Sequence, residues 1–243
     1  MNAVLEVSHL RKAFGGVRAV DDVSFSVDGG DLVALIGPNG AGKTTCFNCI
    51  NGQLRPDGGT VTLEGARIDG LAPEAIARKG VGRTFQVAAT FASMTVRENV
   101  MVALRAHGLP AVEADALLAR VGCSDIAGAH CAALAYGDAK RVELALALAG
   151  KPRLLLMDEP TAGMAASSRA VLMQVASDLA KNDRIAVLFT EHDMDVVFAF
   201  ADRVIVLDHG RIIANGSAAE VRADAQVQAV YLGYDDAATA TGG

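Results

Sequence analysis

The chain has 243 residues, 51% hydrophobic and 21% charged, a composition of globular rather than disordered proteins. Its 22 Lys plus Arg against 28 Asp plus Glu leave a net charge of −6, which argues against a general nucleic-acid binder. The longest stretch free of charged side chains, Thr84–Val96, is shorter than the roughly 20 residues a membrane span requires. Glu6 interrupts the first apolar run, so no export leader is expected, and four cysteines do not make a disulfide framework. These features predict a cytosolic protein, long enough to bury about three-quarters of its unfolded surface.

Strand-length apolar runs alternate with segments of helical period, the pattern of a parallel or mixed sheet flanked by helices. Val4–Val7, Val23–Val27 and Leu32–Ile36 read as strands, followed by a helix from Lys43 to about Asn51 and a short strand at Val61–Leu63. The spacing then predicts helix over Met94–Val121, within a small helical subdomain of roughly Phe91–Leu134. Strand signals return at Leu154–Met157, Ile185–Thr190, Val204–Leu207 and Arg211–Ala214. Ala223–Leu232 reads as a last helix, and the small, polar stretch 235–243 as a frayed tail.

The most specific motif is Gly37-Pro38-Asn39-Gly40-Ala41-Gly42-Lys43-Thr44, a full G-x-x-x-x-G-K-[ST] between a strand and a helix, followed by Thr45. Glycines let such a loop wrap closely, so that successive backbone N–H groups point at phosphate oxygens. The helix after it adds its positive N-terminal end. Lys43 supplies a point charge to the β- and γ-phosphates, and the Thr44 hydroxyl is suited to Mg²⁺. A glycine-rich strand-to-helix turn is the blander reading, but the complete motif in its required context favours a nucleotide site. The adjoining Cys46-Phe47-Asn48-Cys49 has the spacing of a redox pair, yet with no second such pair it reads as packing of two small thiols.

Leu154–Met157 is a strand buried on both faces, with Asp158, Glu159 and Pro160 at its C-terminal end, where open α/β sheets bind ligands. Asp158 suits the Mg²⁺ shell and Glu159 the polarisation of an attacking water. A helix-start turn chosen for its dipole would also explain this tripeptide, were there no phosphate loop. Glu191, His192 and Asp193 follow the next strand and bring His192 to the same sheet edge. A metal site from Glu191, His192, Asp193 and Asp195 is disfavoured by its single histidine.

With these groups the chain resembles the ATP-binding subunits of ABC transporters, over about Val4–Gly233. Leu134-Ala135-Tyr136-Gly137-Asp138 resembles the family's signature sequence, Arg83-Thr84-Phe85-Gln86 its Q-loop, and Phe14 the aromatic that stacks on adenine. The wording of Gly82–Gln86, Leu134–Asp138, Thr190–Met194 and Val230–Gly233 is similar to the ATPases of branched-chain (hydrophobic) amino acid importers, with urea and short-chain amide importers as near relatives.

The resemblance implies one domain over 1–243 with a P-loop NTPase core: a mixed sheet flanked by helices, an antiparallel β subdomain and the helical insertion at 91–134. It implies ATP and Mg²⁺ as ligands, Thr44, Gln86 and Asp158 at the metal, and Glu159, His192 and Gln86 in hydrolysis. It implies head-to-tail pairing with a second ATPase, a sibling or another copy, so that Ala135, Tyr136, Gly137 and Asp138 reach the partner's nucleotide. Permease subunits, and through them a solute-binding protein, complete the implied assembly at the cytoplasmic face of the inner membrane.

The chain departs from the family at Ala135, where a Ser is usual, at Ala162–Ala166, which lacks the usual polar residue and Pro, and in a short stretch between Gln86 and Leu134. Two other readings are a soluble cassette acting as a clamp on ribosomes or DNA, and a nucleotide sensor without turnover. The single cassette and acidic balance oppose the first, and Glu159 with His192 the second.

Overall fold

A computed structural model of the chain describes residues 3–84 and 90–230; Phe85, Gln86 and the stretch from Tyr231 onward lie outside them. Two sheets carry the described fold. β1 (Leu5–Phe14), β2 (Val17–Val27), β4 (Gly58–Leu63) and β5 (Ala66–Arg67) form an antiparallel sheet in the order β2-β1-β4-β5. The main sheet runs β10-β9-β3-β8-β7-β6, from β3 (Leu32–Ile36), β6 (Val81–Arg83), β7 (Leu154–Asp158), β8 (Ala186–Thr190), β9 (Arg203–Asp208) and β10 (Arg211–Gly216). Its strands are parallel except β10, which returns antiparallel on β9.

Strand alternation divides the core in two. Leu32, Ala34 and Ile36 of β3, with Leu155, Met157, Val187 and Phe189, face one cluster. Val33 and Leu35, with Leu154, Leu156, Ala186 and Leu188, face the other. Every residue of β3 and β8 is buried, which explains their continuous rather than alternating apolar sequence. The second cluster is closed by the antiparallel sheet and by α1 (Lys43–Ile50), the first by helices between and after the strands.

The stretch read as helix over Met94–Val121 is two helices, α3 (Val96–Ala106) and α4 (Ala114–Arg120). Gly108 at φ 70° and Pro110 break the run, while Thr95 and Glu98 start α3 with a reciprocal capping box. The last helix, expected over Ala223–Leu232, runs over 225–230 up to the end of the described residues, after a break at Asp224. α8 (Ala218–Ala223) ends at extended Asp224, whose carboxylate accepts the N–H groups of Gln226 and Val227 and restarts helix over 225–230. Four further α-helices belong to the described part: α2 (Pro73–Arg78), α5 (Tyr136–Leu148), α6 (Ala166–Asp183) and α7 (Met194–Phe200), beside short 3-10 turns at Ala111–Glu113 and Cys131–Ala133. No helix of the described residues is long and apolar enough to cross a membrane.

Candidate functional site

Because β6, β7, β8 and β3 are parallel, their C-terminal ends share one edge, and the motif residues gather there. The loop after β3 turns at Gly37, where φ is 150° and a Cβ would lie 2.2 Å from the Leu207 carbonyl oxygen. Gly42 caps α1 with φ 106°, and a Cβ there would meet the Ala19 carbonyl oxygen at 2.2 Å. Only glycine fits either position. The first N–H groups of α1, including those of Thr44 and Thr45, have no partner within the helix, so this end suits an anion. Lys43 folds back over the loop, its ammonium donating to the carbonyls of Gly37 at 2.5 Å and Pro38 at 3.1 Å. Burial lowers its pKa, while the carboxylates of Glu159 and Asp158 push it up.

At the end of β7, Asp158 pairs in register with Thr190 of β8, whose hydroxyl donates to Asp158 Oδ1 at 2.7 Å. The same threonine's Oγ1 accepts the N–H of Glu159 at 3.0 Å. Glu159 sits at φ 47°, an uncommon conformation for a non-glycine residue and one that concentrates at functional sites. Its Oε1 lies 2.8 Å from Nε2 of His192. The two residues are 33 apart in sequence yet joined across adjacent strand ends. This edge thus brings together Lys43, Asp158, Glu159 and His192.

Neighbouring residues hold that edge in shape. Glu191 is buried and accepts the backbone N–H of Thr161 at 2.8 Å and its hydroxyl at 2.6 Å. Asp193 caps α7 and pairs with Arg169, whose Nε donates to the Met164 carbonyl at 2.8 Å. The segment after Glu159 is therefore fastened at both ends to the segment carrying His192. Sequence reasoning passed over Thr190, Thr161 and Arg169, because a threonine ending a buried strand and an arginine inside a helix carry no motif of their own.

The signature-like residues stand elsewhere on the protomer. Ala135 is the extended N-cap of α5 with no side-chain cap, and the helix begins at Tyr136, one residue before Gly137. Gly137 packs where a Cβ would lie 3.1 Å from Ser168, and Asp138 bonds Arg141 at 2.6 Å. Tyr136 is half exposed, with the Lys140 ammonium 5.8 Å from its ring. Phe14, also half exposed, ends β1 beneath the ammonium of Lys12. Gln86 lies outside the described residues. Cys46 and Cys49 are buried in the core, where burial raises the thiol pKa, that of Cys49 to about 11.

A phosphate loop on a mostly parallel sheet, facing paired carboxylates and a histidine, defines a P-loop nucleotide-binding cassette. The family model described as ABC transporter matches residues 20–162, and that of the branched-chain amino acid ATP-binding cassette transporter matches residues 211–237. The chain belongs to the ABC transporter family, as an ATP-binding, ATP-hydrolysing cassette. Among its relatives, the high-affinity branched-chain amino acid transport ATP-binding protein BraF of Pseudomonas aeruginosa is 39% identical, covering 95% of this chain and 98% of the relative. Its counterpart LivG of Salmonella typhimurium is 38% identical with the same coverage. The solved ADP conformation of an ATP-binding cassette superposes with a TM-score of 0.87 at 31% identity, over 96% of this chain and 100% of that one.

Proposed function

We propose that this chain is the ATPase subunit that drives uptake of branched-chain amino acids through a membrane permease. The observation that carries the hydrolytic part is the Glu159–His192 pair, 2.8 Å apart and beside Lys43 at the phosphate loop. ATP is the substrate: its phosphates lie along the loop Gly37-Pro38-Asn39-Gly40-Ala41-Gly42, whose residues other than Pro38 each carry a backbone N–H, and its base stacks on Phe14. Glu159 accepts a proton from the attacking water as the water oxygen bonds to the γ-phosphorus and the bond to the bridging oxygen breaks. His192 holds the Glu159 carboxylate through their hydrogen bond and contacts the transferred phosphoryl group. Gln86 completes the set at the metal.

The hydroxyl of Thr44 and the carboxylate of Asp158 are hard oxygen donors of the kind Mg²⁺ takes, and these residues fit it. Mg²⁺ held there would offset negative charge on the nucleotide's phosphates. A second ATPase subunit, a sibling or another copy, offers its Ala135, Tyr136, Gly137 and Asp138 to the same nucleotide, Gly137 and the first N–H groups of α5 facing the γ-phosphate. Each protomer supplies half of the phosphate's hydrogen bonds, so hydrolysis releases the pair and alternates the permease between two states. The chain acts as one domain, 1–243, with the helical insertion at 91–134.

The permease docks in the cleft between α2, α3 and α5, about 430 Å³ in volume and lined by exposed Phe91 and Val102 with buried Ile76. A chain docked in this way works at the cytoplasmic face of the inner membrane as a peripheral subunit. The substrate assignment is supported by the branched-chain amino acid transport for which the relatives are named and by the family match over residues 211–237.

Tagging the chain, solubilising native membranes gently and identifying what co-purifies tests this reading. Recovery of multi-span permease subunits, whose solute-binding partner then binds leucine rather than urea or amides, is the expected result. Recovery of ribosomes or DNA-repair proteins without membrane subunits overturns the transport assignment and leaves the ATPase chemistry standing.

A further inference from the structure

Arg83 ends β6, its Cα paired with Leu156 of β7, two residues before Asp158. The side chain is only 14% exposed. One end of its guanidinium, Nη1, donates to Gln53 Oε1 at 2.8 Å and to Asn48 Oδ1 at 3.3 Å. The other, Nη2, stands 3.5 Å from Asp158 Oδ2, while Asp158 Oδ1 is already held by Thr190. Asn48 lies on α1 one turn after Thr44, on the same helix face. The planar fork therefore touches both elements that carry the proposed Mg²⁺ donors, anchored on α1 and facing the Asp158 carboxylate.

We propose that Arg83 is a positioning residue that serves as the fixed counter-charge of Asp158 and thereby limits how strongly Mg²⁺ binds there. This rests on the reading of Asp158 as a metal ligand. A carboxylate flanked by a fixed guanidinium attracts a divalent cation less than a bare one, because the two positive charges repel at short range in a partly dry site. Arg83 also orients Asp158 before the metal arrives. Metal affinity is thus set by a residue that does not touch the metal.

The test uses the purified chain and a fluorescent ADP analogue, with dissociation constants measured in Mg²⁺ and in EDTA. The ratio of the EDTA constant to the Mg²⁺ constant isolates the metal's contribution from any direct effect of Arg83 on the phosphates. Arg83→Gln removes the charge and is expected to raise the ratio about three- to tenfold, whereas Arg83→Lys keeps it within about twofold of the parent. Gln53→Glu leaves Arg83 in place but adds a carboxylate at an exposed position beside Nη1, and is expected to raise the ratio about two- to fivefold. That variant decides the matter should Arg83→Gln not fold. Asp158→Asn is expected to collapse the ratio toward one. An unchanged or lowered ratio in Arg83→Gln or, failing that, in Gln53→Glu, beside a collapsed Asp158→Asn ratio, overturns this proposal alone. An intact ratio in Asp158→Asn overturns the ligand reading and this proposal with it.

Discussion

Glu159 is held in an uncommon backbone conformation by two hydrogen bonds from its N–H, to the carbonyl of Thr190 at 3.2 Å and to its hydroxyl at 3.0 Å. Such a conformation costs of order 1–3 kcal/mol, so surrounding contacts must over-determine it. The contact from Thr161 to buried Glu191 is one of them. Thr161→Val leaves a buried carboxylate oxygen short of a donor and is expected to lower unfolding stability by about 1–3 kcal/mol, read from chemical denaturation. It should also reduce kcat more than nucleotide affinity, since the Glu159–His192 arrangement loosens while the phosphate loop stays intact. The thiols give a simpler check. With Cys49 and Cys123 each pushed up to about 11 by burial, and Cys46 higher still, none should react with iodoacetamide at pH 8 until the protein is unfolded. Rapid labelling of native Cys46 or Cys49 would revive a redox role.

At the scale of elements, the two loop glycines make the firmest prediction. A methyl group at Gly37 or Gly42 overlaps a backbone carbonyl of another segment at 2.2 Å, a contact that no side-chain rotation relieves. Gly37→Ala or Gly42→Ala should therefore abolish nucleotide binding, measured by the fluorescent analogue, or prevent folding. Gly40→Ala meets nothing within 4 Å but places a side chain at φ 82°, so it should fold with stability lowered by about 1 kcal/mol, which thermal melting would show.

The strands that carry the site were legible because they are buried on both faces and so read as unbroken apolar runs: Leu32–Ile36, Leu154–Met157 and Ile185–Thr190. The two-residue β5 and the edge strand β6 were not, since a strand that short has no period. The helix expected over Met94–Val121 breaks at Gly108 and Pro110, whose backbone preferences override an apolar spacing that continues across them. The motif residues at the sheet edge were legible as chemistry. Their supports, Thr190, Thr161 and Arg169, were not, because their roles arise from contacts 31, 30 and 24 residues away in sequence.

The whole molecule joins an antiparallel sheet to a mostly parallel one, and Arg211 of β10 ties the two at their rim by reaching Asp21 of β2 at 2.7 Å. Within the antiparallel sheet, Lys12 of β1 holds Asp57, next to β4, at 2.8 Å. The Arg211 hydrogen bond lowers the Asp21 pKa, Arg11 and His9 do so for Asp22, and Lys12 with the Ala13 N–H for Asp57. Carboxyls lowered in the folded state stabilise it above their unfolded value, near pH 4, and lose that contribution as pH falls through the folded value. Thermal melting from pH 7 to pH 2 should therefore show Asp21→Asn below the parent at neutral pH and converging with it at the acid end. A constant gap across that range would contradict the assignment.

The central claim, that Glu159 is the base of an ATPase whose site closes between two subunits, is tested most directly by Glu159→Gln. Mixed with MgATP and passed over a sizing column with light scattering, this variant is expected to retain ATP binding, lose at least about 100-fold in turnover, and accumulate as a dimer. Turnover within a few fold of the parent, with no dimer in MgATP, would remove Glu159 from the base role and contradict the account.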